Sequence, residues 1–148
     1  MERKYHVVFS TALIIILIDQ LSKFFVRTNF QLNQSIPIIN NIFHLTYIQN
    51  TGAGFGILKS QALILIFISV AVIGIILYNF DKIKNNETLL QILAGFVLGG
   101  TIGNLIDRLA YGHVIDFLDF RIWPIFNFAD SFVTIGVIGL IIYLWKKG

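Results

Sequence analysis

The sequence predicts an integral membrane protein that is mainly α-helical, with four transmembrane helices and a small outer-face β-sheet after the first helix. Hydrophobic residues make up 56% of the 148 positions and charged residues only 13%, whereas soluble domains are about 45–50% apolar. The mean hydropathy is +0.79. The apolar residues are gathered into four stretches, each close to the roughly 20 residues that cross a bilayer.

The first predicted span covers residues 6–27, and its core from Val7 to Ile18 carries no charge. Two basic residues precede this core, as in a signal peptide, but a polar run from Asp19 to Lys23 stands where a small-residue cleavage site would be. We therefore predict a retained helix. The spacing of four between Asp19 and Lys23 leaves two interpretations open, a snorkelling ion pair or a support for a functional site.

A β-sheet resting on the membrane, which we call the β-cradle, is predicted at about residues 30–58. From Phe43 to Ile48 apolar and polar residues alternate with the period of a strand, and an Asn40-Asn41 turn precedes them. The glycine-rich run at 50–56 follows, and its three glycines permit close approach of the backbone to a ligand. No linker or repeat divides the chain, so residues 1–148 are predicted to form one domain.

The other three spans are predicted at residues 61–80, 88–108 and 125–145. On the third span, glycines recur every four residues and permit close packing of a neighbouring helix: Gly95, Gly99 and Gly103. Asn104 and Arg108 share an adjoining face of that helix. Polar residues on the fourth span form a similar stripe, so we predict that the two stripes point into a shared interior.

Basic residues near the span ends predict the orientation in the membrane. Six of them lie on the side of the termini: Arg3, Lys4, Lys82, Lys84, Lys146 and Lys147. Five lie on the other side: Lys23, Arg27, Lys59, Arg108 and Arg121. The bias becomes clear when Lys23 and Arg108 are set aside as site residues. We therefore predict cytoplasmic termini and a site near the outer face.

Two aspartates, Asp116 and Asp130, are the strongest functional signal. Asp130 interrupts an otherwise uncharged stretch from Ile125 to Trp145, and an ionisable residue in such a setting indicates a functional site. Asp116 lies in the short segment before it, so the two carboxylates can meet at one membrane surface. Paired carboxylates favour acid–base chemistry on water, with one proton shared between them.

Other charged residues have simpler interpretations. Asp107 is predicted to pair with the adjacent Arg108 or to act at the helix end, and Asp119 and Arg121 are predicted to lie in a solvated loop. The chain has no cysteine and its three histidines are far apart, which argues against a thiol nucleophile and a bound metal, and no cofactor is expected. The scattered basic residues do not form a nucleic-acid-binding patch.

Five ordered motifs resemble those of the bacterial lipoprotein signal peptidases, the type II signal peptidases. They are Asp19-Gln20-Leu21-Ser22-Lys23, the run Asn50-Thr51-Gly52-Ala53-Gly54-Phe55-Gly56, the run from Gly99 to Arg108, Val114-Ile115-Asp116-Phe117, and the run from Phe126 to Ser131. The resemblance spans nearly the whole chain, in the order of the family, on the layout expected for it.

The resemblance implies an aspartic endopeptidase of the bacterial cytoplasmic membrane. Such enzymes remove signal peptides from prolipoproteins on the N-terminal side of the diacylglyceryl-modified cysteine. It implies that Asp116 and Asp130 are the catalytic pair. Substrate-binding positions implied by it, where the antibiotic globomycin also binds in the family, are Asn50, Gly103, Asn104, Arg108, Asn127 and Ala129. Asp19, Lys23 and Asp107 are expected to support the site, and membrane lipids are expected partners.

Two alternatives from other classes remain open on the residues alone. A small proton or ion carrier is compatible with Asp130 and Asn127 lying in the same membrane region as Asp19 and Lys23. A non-catalytic lipid-binding or scaffold protein is compatible with a structural carboxylate pair. The clustering of the carboxylates at one face and the lack of a transporter-like repeat favour the peptidase.

Overall fold

The computed structural model describes residues 2–52 and 61–147. Within these residues the helices and strands are, in order, α1 (Arg3–Asn29), β1 (Ser35–Ile39), β2 (Phe43–Asn50), α2 (Ala62–Tyr78), α3 (Thr88–Tyr111), β3 (Val114–Asp119) and α4 (Phe128–Lys147). A 3-10 turn at Phe80–Lys82 links α2 to the loop before α3. The predicted mainly helical fold with a small sheet is thereby confirmed.

Three of these helices, α1, α3 and α4, are long and apolar enough to cross a membrane. They correspond to the first, third and fourth predicted spans. The apolar helix α2 has 17 residues and is about 26 Å long at 1.5 Å per residue, which is the lower limit for crossing a bilayer. A fourth span therefore stays a prediction.

Helix α3 is the centre of the bundle. In its most apolar 18-residue stretch 61% of the residues are buried, whereas the corresponding share is 28% for α1 and 11% for α4. The predicted packing role of its glycines is confirmed. A Cβ placed on Gly99 would come within 2.7 Å of the Ala12 carbonyl oxygen of α1, and one on Gly100 within 2.5 Å of the Ala129 carbonyl oxygen of α4. Both neighbours therefore approach to backbone contact.

The outer surface of the bundle is apolar, the reverse of a soluble helix bundle. Leu21 of α1, Phe67 of α2 and Ile141 of α4 are each more than 60% exposed. Side chains of this kind are stable when hydrocarbon rather than water surrounds them. The structure is thus that of a multi-pass membrane protein.

The sheet has the order β1-β2-β3 and both pairings are antiparallel. The β1–β2 hairpin turns at Asn40-Asn41 as predicted, with Asn41 at φ 61°. The third strand was not predicted. It begins directly after α3, where Gly112 at φ 73° donates its N–H to the Arg108 carbonyl and reverses the chain into β3.

The prediction that Asp119 lies in a solvated loop was wrong. Asp119 ends β3 and is only 3% exposed. Its carboxylate accepts hydrogen bonds from Thr46 at 2.7 Å and from the Arg121 side chain at 2.8 Å. Pairing with β2 buries this residue, which a single-strand pattern cannot show.

Contacts across the bundle place both termini at the same end. Near the N-terminus, the Arg3 side chain donates to Thr88 and the Lys4 backbone N–H donates to Asn85. Near the C-terminus, Lys147 pairs with Glu87. These partners lie in the loop before α3 or at its first residue, whereas the sheet lies at the opposite end, where α1 and α3 terminate.

Candidate active site

The two predicted catalytic aspartates are brought together by β3 and the start of α4. Asp116 sits in the middle of β3 and is 1% exposed, while Asp130 lies in the first turn of α4 and is half-buried. Asn127 contacts both residues. Its side-chain amide donates to Asp116 Oδ1 at 2.7 Å, and its backbone N–H donates to Asp130 Oδ2 at 3.2 Å.

The contact between Asn127 and Asp130 is also what starts α4. Asn127 Oδ1 accepts the Asp130 backbone N–H at 2.9 Å, and the Asp130 carboxylate accepts the Asn127 N–H in return. Reciprocal bonds of this kind form a capping box, which satisfies two helix N–H groups that otherwise lack partners. The cap thereby fixes the Asp130 carboxylate in the first turn of α4.

Two further asparagines direct their amide nitrogens at the carboxylates. Asn50 Nδ2 donates to Asp116 Oδ2 at 2.8 Å, and Asn104 Nδ2 donates to Asp130 Oδ1 at 2.7 Å. The oxygen of each amide is held elsewhere: Asn50 Oδ1 accepts the Gly52 N–H at 2.9 Å. Each carboxylate oxygen therefore faces an N–H donor.

The environment keeps a proton on the pair near neutral pH. Burial, followed by the negative charge on Asp130, raises the pKa of Asp116 to about 7. The hydrogen bonds from Asn50 and Asn127 act in the opposite direction, because they favour the ionised form. Two carboxylates this close cannot both ionise cheaply, so at neutral pH the pair can offer one acid and one base.

A second group of charges, which we call the ion cluster, lies beside the pair and consists of Asp19, Lys23 and Asp107. Lys23 Nζ is 2.8 Å from Asp19 Oδ2 and 3.0 Å from Asp107 Oδ2. All three residues are at most 2% exposed. Of the two open interpretations of Asp19 and Lys23, surface snorkelling is excluded by this burial.

The predicted pairing of Asp107 with Arg108 was wrong. Neighbouring residues on a helix project about 100° apart, so Asp107 turns toward α1 and β3. There it binds Lys23 and accepts the Ile115 backbone N–H at 3.1 Å. Arg108 turns instead into the cavity described next.

A cavity of about 920 Å³ opens beside the carboxylate pair between α2, α3 and α4. Its walls are mostly apolar, with contributions from Ile68, Val72, Trp123, Val133 and Val137. The polar lining residues are Asn50, Ser69, Thr101, Asn104, Arg108, Asp116, Asp130, Ser131 and Thr134. Both aspartates and a guanidinium group thus face one largely apolar space.

The predicted substrate-binding residues divide into two groups. Asn50, Asn104 and Arg108 line this cavity. Gly103 and Ala129 are buried in helix packing, where a Cβ on Gly103 would lie 2.6 Å from Asp19 Oδ2 and the Ala129 N–H donates to Asp19 Oδ1 at 3.0 Å. Asn127 is fully buried. Direct substrate contact by any of these six residues stays a prediction.

Two parts of the site were not anticipated. Gln20 Nε2 lies 3.0 Å from Asp107 Oδ1 and 3.1 Å from the Gly103 carbonyl oxygen, so it closes the ion cluster from α1. The Asn127-Asp130 capping box has a readable sequence signal, an asparagine three positions before a carboxylate ahead of an apolar run. Residues 53–56 of the glycine-rich motif lie outside the described part of the chain.

Metal ligation has no geometric support in the described residues. Across 2–52 and 61–147, no group of three or more histidine, cysteine, aspartate or glutamate residues is arranged to hold an ion.

The fold and the site define a class: a small multi-pass membrane protein in which a buried carboxylate pair faces an apolar cavity. The sequence profile described as signal peptidase II matches residues 11–146. The chain belongs to the signal peptidase II family, a family of peptidases.

Individual relatives agree with this assignment. The lipoprotein signal peptidase of Halothermothrix orenii is 47% identical over 140 residues, covering 95% of this chain and 96% of that protein. The lipoprotein signal peptidase of Moorella thermoacetica is 49% identical over 127 residues, covering 86% and 85%. A solved bacterial membrane enzyme superposes with a TM-score of 0.90 at 33% identity, covering 99% of this chain and 93% of the other.

Proposed function

We propose that this protein is an aspartic endopeptidase that removes signal peptides from prolipoproteins on the N-terminal side of the diacylglyceryl-modified cysteine. The observation that carries the proposal is the Asp116–Asp130 pair, oriented by three asparagine amides and open to an apolar cavity. Membership in the signal peptidase II family and the names of its relatives support the substrate class.

In the proposed hydrolysis one carboxyl group acts as the general base and the other as the general acid. The ionised member takes a proton from a water molecule as the water oxygen attacks the scissile carbonyl carbon, and the protonated member donates its hydrogen bond to the carbonyl oxygen. As the tetrahedral intermediate collapses, the C–N bond breaks and a carboxyl proton passes to the leaving amine. The pair ends with the same number of protons as it had at the start.

Neighbouring donors stabilise the charge that develops on the substrate. Arg108 lines the cavity beside the pair and makes no ion pair within the described residues, so its five N–H donors are directed at an incoming ligand. Asn50 and Asn104 also reach the cavity surface. These groups can bind the peptide backbone or the developing oxyanion, which is where electrostatic stabilisation lowers the barrier most.

The cavity explains why a lipid-modified substrate is suitable. Its apolar walls run between α2 and α4, the helices whose outer faces carry exposed apolar residues. Acyl chains can therefore stay in hydrocarbon while the peptide reaches the carboxylates. A globomycin-type inhibitor is expected to occupy the same cavity and to compete with substrate.

The proposed location is the bacterial cytoplasmic membrane, with both termini in the cytoplasm and the active site near the outer face. Basic residues at the end of the bundle that holds the termini support this orientation: Arg3, Lys4, Lys82, Lys84, Lys146 and Lys147. The sheet and the carboxylate pair lie at the other end.

Cleavage of a diacylglyceryl-modified prolipoprotein by the purified full chain in detergent, followed by gel shift, tests the proposal. Asp116→Asn and Asp130→Asn are each expected to lower the rate by about 10²-fold or more, the usual contribution of a general acid or base. The matched control is Asp81→Asn, because that side chain is 92% exposed at the opposite end.

Two outcomes contradict the proposal. A folded Asp116→Asn or Asp130→Asn variant that cuts at the wild-type rate removes that aspartate from the chemistry. A wild-type protein that never cuts any lipid-modified substrate overturns the peptidase, and proton flux in liposomes then tests the carrier. Equal cleavage of an unlipidated peptide would contradict only the role given to the lipid.

A further inference from the structure

The side chain of Asn104 joins the ion cluster to the carboxylate pair. Its nitrogen Nδ2 donates to Asp130 Oδ1 at 2.7 Å. Its oxygen Oδ1 accepts two hydrogen bonds, one from Lys23 Nζ at 2.9 Å and one from Asn127 Nδ2 at 3.0 Å. Both ends of this one amide are therefore bonded, and each end faces a different group of charges.

Only one orientation of this amide satisfies its neighbours. A lysine ammonium group donates and never accepts hydrogen bonds, whereas a carboxylate accepts. Rotating the Asn104 amide by 180° would place its N–H₂ group against Lys23 Nζ and its oxygen against the Asp130 carboxylate. The contact with Lys23 would then pair two donors, and the contact with Asp130 would pair two acceptors unless Asp130 carries a proton.

Lys23 itself is held firmly in place. Asp19 and Asp107 bind its ammonium from α1 and α3, and Lys23 is only 2% exposed. No hydrogen bond or ion pair joins Lys23 to Asp116 or Asp130 within residues 2–52 and 61–147. Lys23 therefore connects to the pair by hydrogen bonds through Asn104, and its positive charge also acts on both carboxylates through space.

We propose that Lys23 is a positioning residue for the carboxylate pair: its ammonium group fixes the Asn104 amide so that an N–H donor always faces Asp130. The ion cluster thereby acts on the protonation of the pair, in addition to holding α1, α3 and β3 together. The link to catalysis rests on the proposed peptidase function, whereas the link to protonation does not.

Several charged groups face the pair, and the test has to separate them from the amide. Lys23 of α1 and Arg108 of α3 act on the pair by their charge, and Asp116 of β3 lies beside Asp130 of α4. Asp19 of α1 and Asp107 of α3 bind Lys23. Removing Lys23 alone changes the net charge as well as the amide contact. The double variant Lys23→Met/Asp107→Asn removes one charge of each sign and leaves the net charge of the ion cluster unchanged.

Infrared spectroscopy follows the C=O stretching band of the protonated carboxyl group as a function of pH, and its absence in Asp130→Asn assigns the band to the pair. This measures the protonation of the pair without any substrate. Lys23→Met removes the charged one of the two donors that hold the Asn104 oxygen away from Asp130. This oxygen then turns toward Asp130 more readily, so the protonated pair gains stability. In Lys23→Met and in the charge-matched double variant, the loss of this proton is therefore expected about one pH unit or more above its wild-type value.

Gln20→Leu is the matched control. Gln20 donates to the same two carboxylates of the ion cluster, Asp19 and Asp107, but not to Asn104. This variant is expected to lower the melting temperature while leaving the titration where the wild type has it. An equal shift in Gln20→Leu would mean that any loosening of the cluster moves the proton, and would overturn the proposal.

Folded Lys23 variants that titrate like the wild type would also overturn it. If neither variant folds, the test is made on the wild-type protein by NMR. In a ¹⁵N-asparagine-labelled sample, the chemical shifts of the Asn104 side-chain amide protons must change as the pair titrates. Their failure to shift shows that the amide nitrogen does not face Asp130. In the cleavage assay the alkaline limb of the rate profile should move with the infrared titration, and a wild type that does not cut counts only against the peptidase.

Discussion

Two pairs of aspartates lie on either side of the Asn104 side chain, and they differ in the groups that bind their carboxylates. In the ion cluster, Asp19 and Asp107 share the ammonium group of Lys23 at 2.8 and 3.0 Å and are sealed between helices. In the carboxylate pair, Asp116 and Asp130 bind amide donors and face a cavity. The same residue type is therefore paired with a cation in one group and with a second carboxylate in the other.

The difference lies in what neutralises the charge. When a buried carboxylate binds a cation, removing either partner leaves the other charge buried without compensation, which destabilises the fold. A buried carboxylate beside a second carboxylate keeps a proton instead. Amide donors position the second kind without neutralising it, which leaves an acid and a base available for a substrate.

The largest expected effect concerns the pH dependence of stability. The pKa of Asp116 is raised to about 7 in the folded protein from 3.8, so between these values the folded state keeps a proton that the unfolded state has lost. Stability should therefore fall as pH rises from about 4 to about 7, by on the order of 4 kcal/mol. Thermal denaturation in detergent at several pH values measures it.

Asp116→Asn should remove most of this slope, since asparagine does not titrate. A variant that retains the wild-type slope would show that Asp116 is not the raised carboxyl group. The exposed Asp81 at the other end serves as the comparison, because Asp81→Asn should leave the slope unchanged.

A loss of about 3 kcal/mol is expected for Asp19→Ala, on the cluster side of the comparison. The substitution leaves the buried Ala129 N–H without its acceptor and removes one of the two anions that hold Lys23. Chemical denaturation in mixed micelles gives the free energy. A cost no larger than that of Asp81→Ala would mean that the ion cluster is not a source of stability.

The smallest expected effect is a loss of about 1–3 kcal/mol of stability when a methyl group is added at a tightly packed glycine. Two glycines allow this test to be made separately beside the carboxylate pair and beside the ion cluster. A Cβ on Gly100 meets the Ala129 carbonyl beside Asp130, whereas one on Gly103 meets the Asp19 carboxylate. We expect Gly100→Ala to lower the cleavage rate with little change in melting temperature. Gly103→Ala is expected to lower the melting temperature with less change in the cleavage rate. Melting curves and cleavage rates of the same preparations compare them.

Gly74→Ala is the control for both glycine variants, because a Cβ at that position of α2 meets no atom within 4 Å. Alanine also has the higher helix propensity, so this variant should be neutral or slightly stabilising. If all three variants behave alike, close helix approach is not what places either group of aspartates.

Much of the fold could be predicted from composition and spacing. The apolar stretches locate α1, α3 and α4, and the four-residue spacing of Gly95, Gly99 and Gly103 predicts close helix contacts. Strand alternation predicts β2. These are local signals, because a helix or strand repeats its exposed and buried faces along the chain.

The sheet and the ion cluster show where local signals fail. β3 is a strand because β2 offers it a partner, and Asp119 is buried for the same reason. Asp107 pairs with Lys23, 84 residues away along the chain, and not with the adjacent Arg108. Which strand pairs with which, and which partner a helical side chain meets, depend on elements that are distant in sequence. Local sequence patterns therefore do not predict them.

The sequence by itself determined that this is a membrane protein and which family it belongs to, because hydropathy and motif order are properties of the chain. It also predicts Asp116 and Asp130 as the catalytic aspartates. Only the tertiary structure decided that Asp19 and Asp107 share one lysine and that amide groups hold Asp116 and Asp130. The physical reason is that the protonation of a buried carboxylate depends on the groups within a few ångströms of it. Here those groups come from α1, β2, α3, β3 and α4 together.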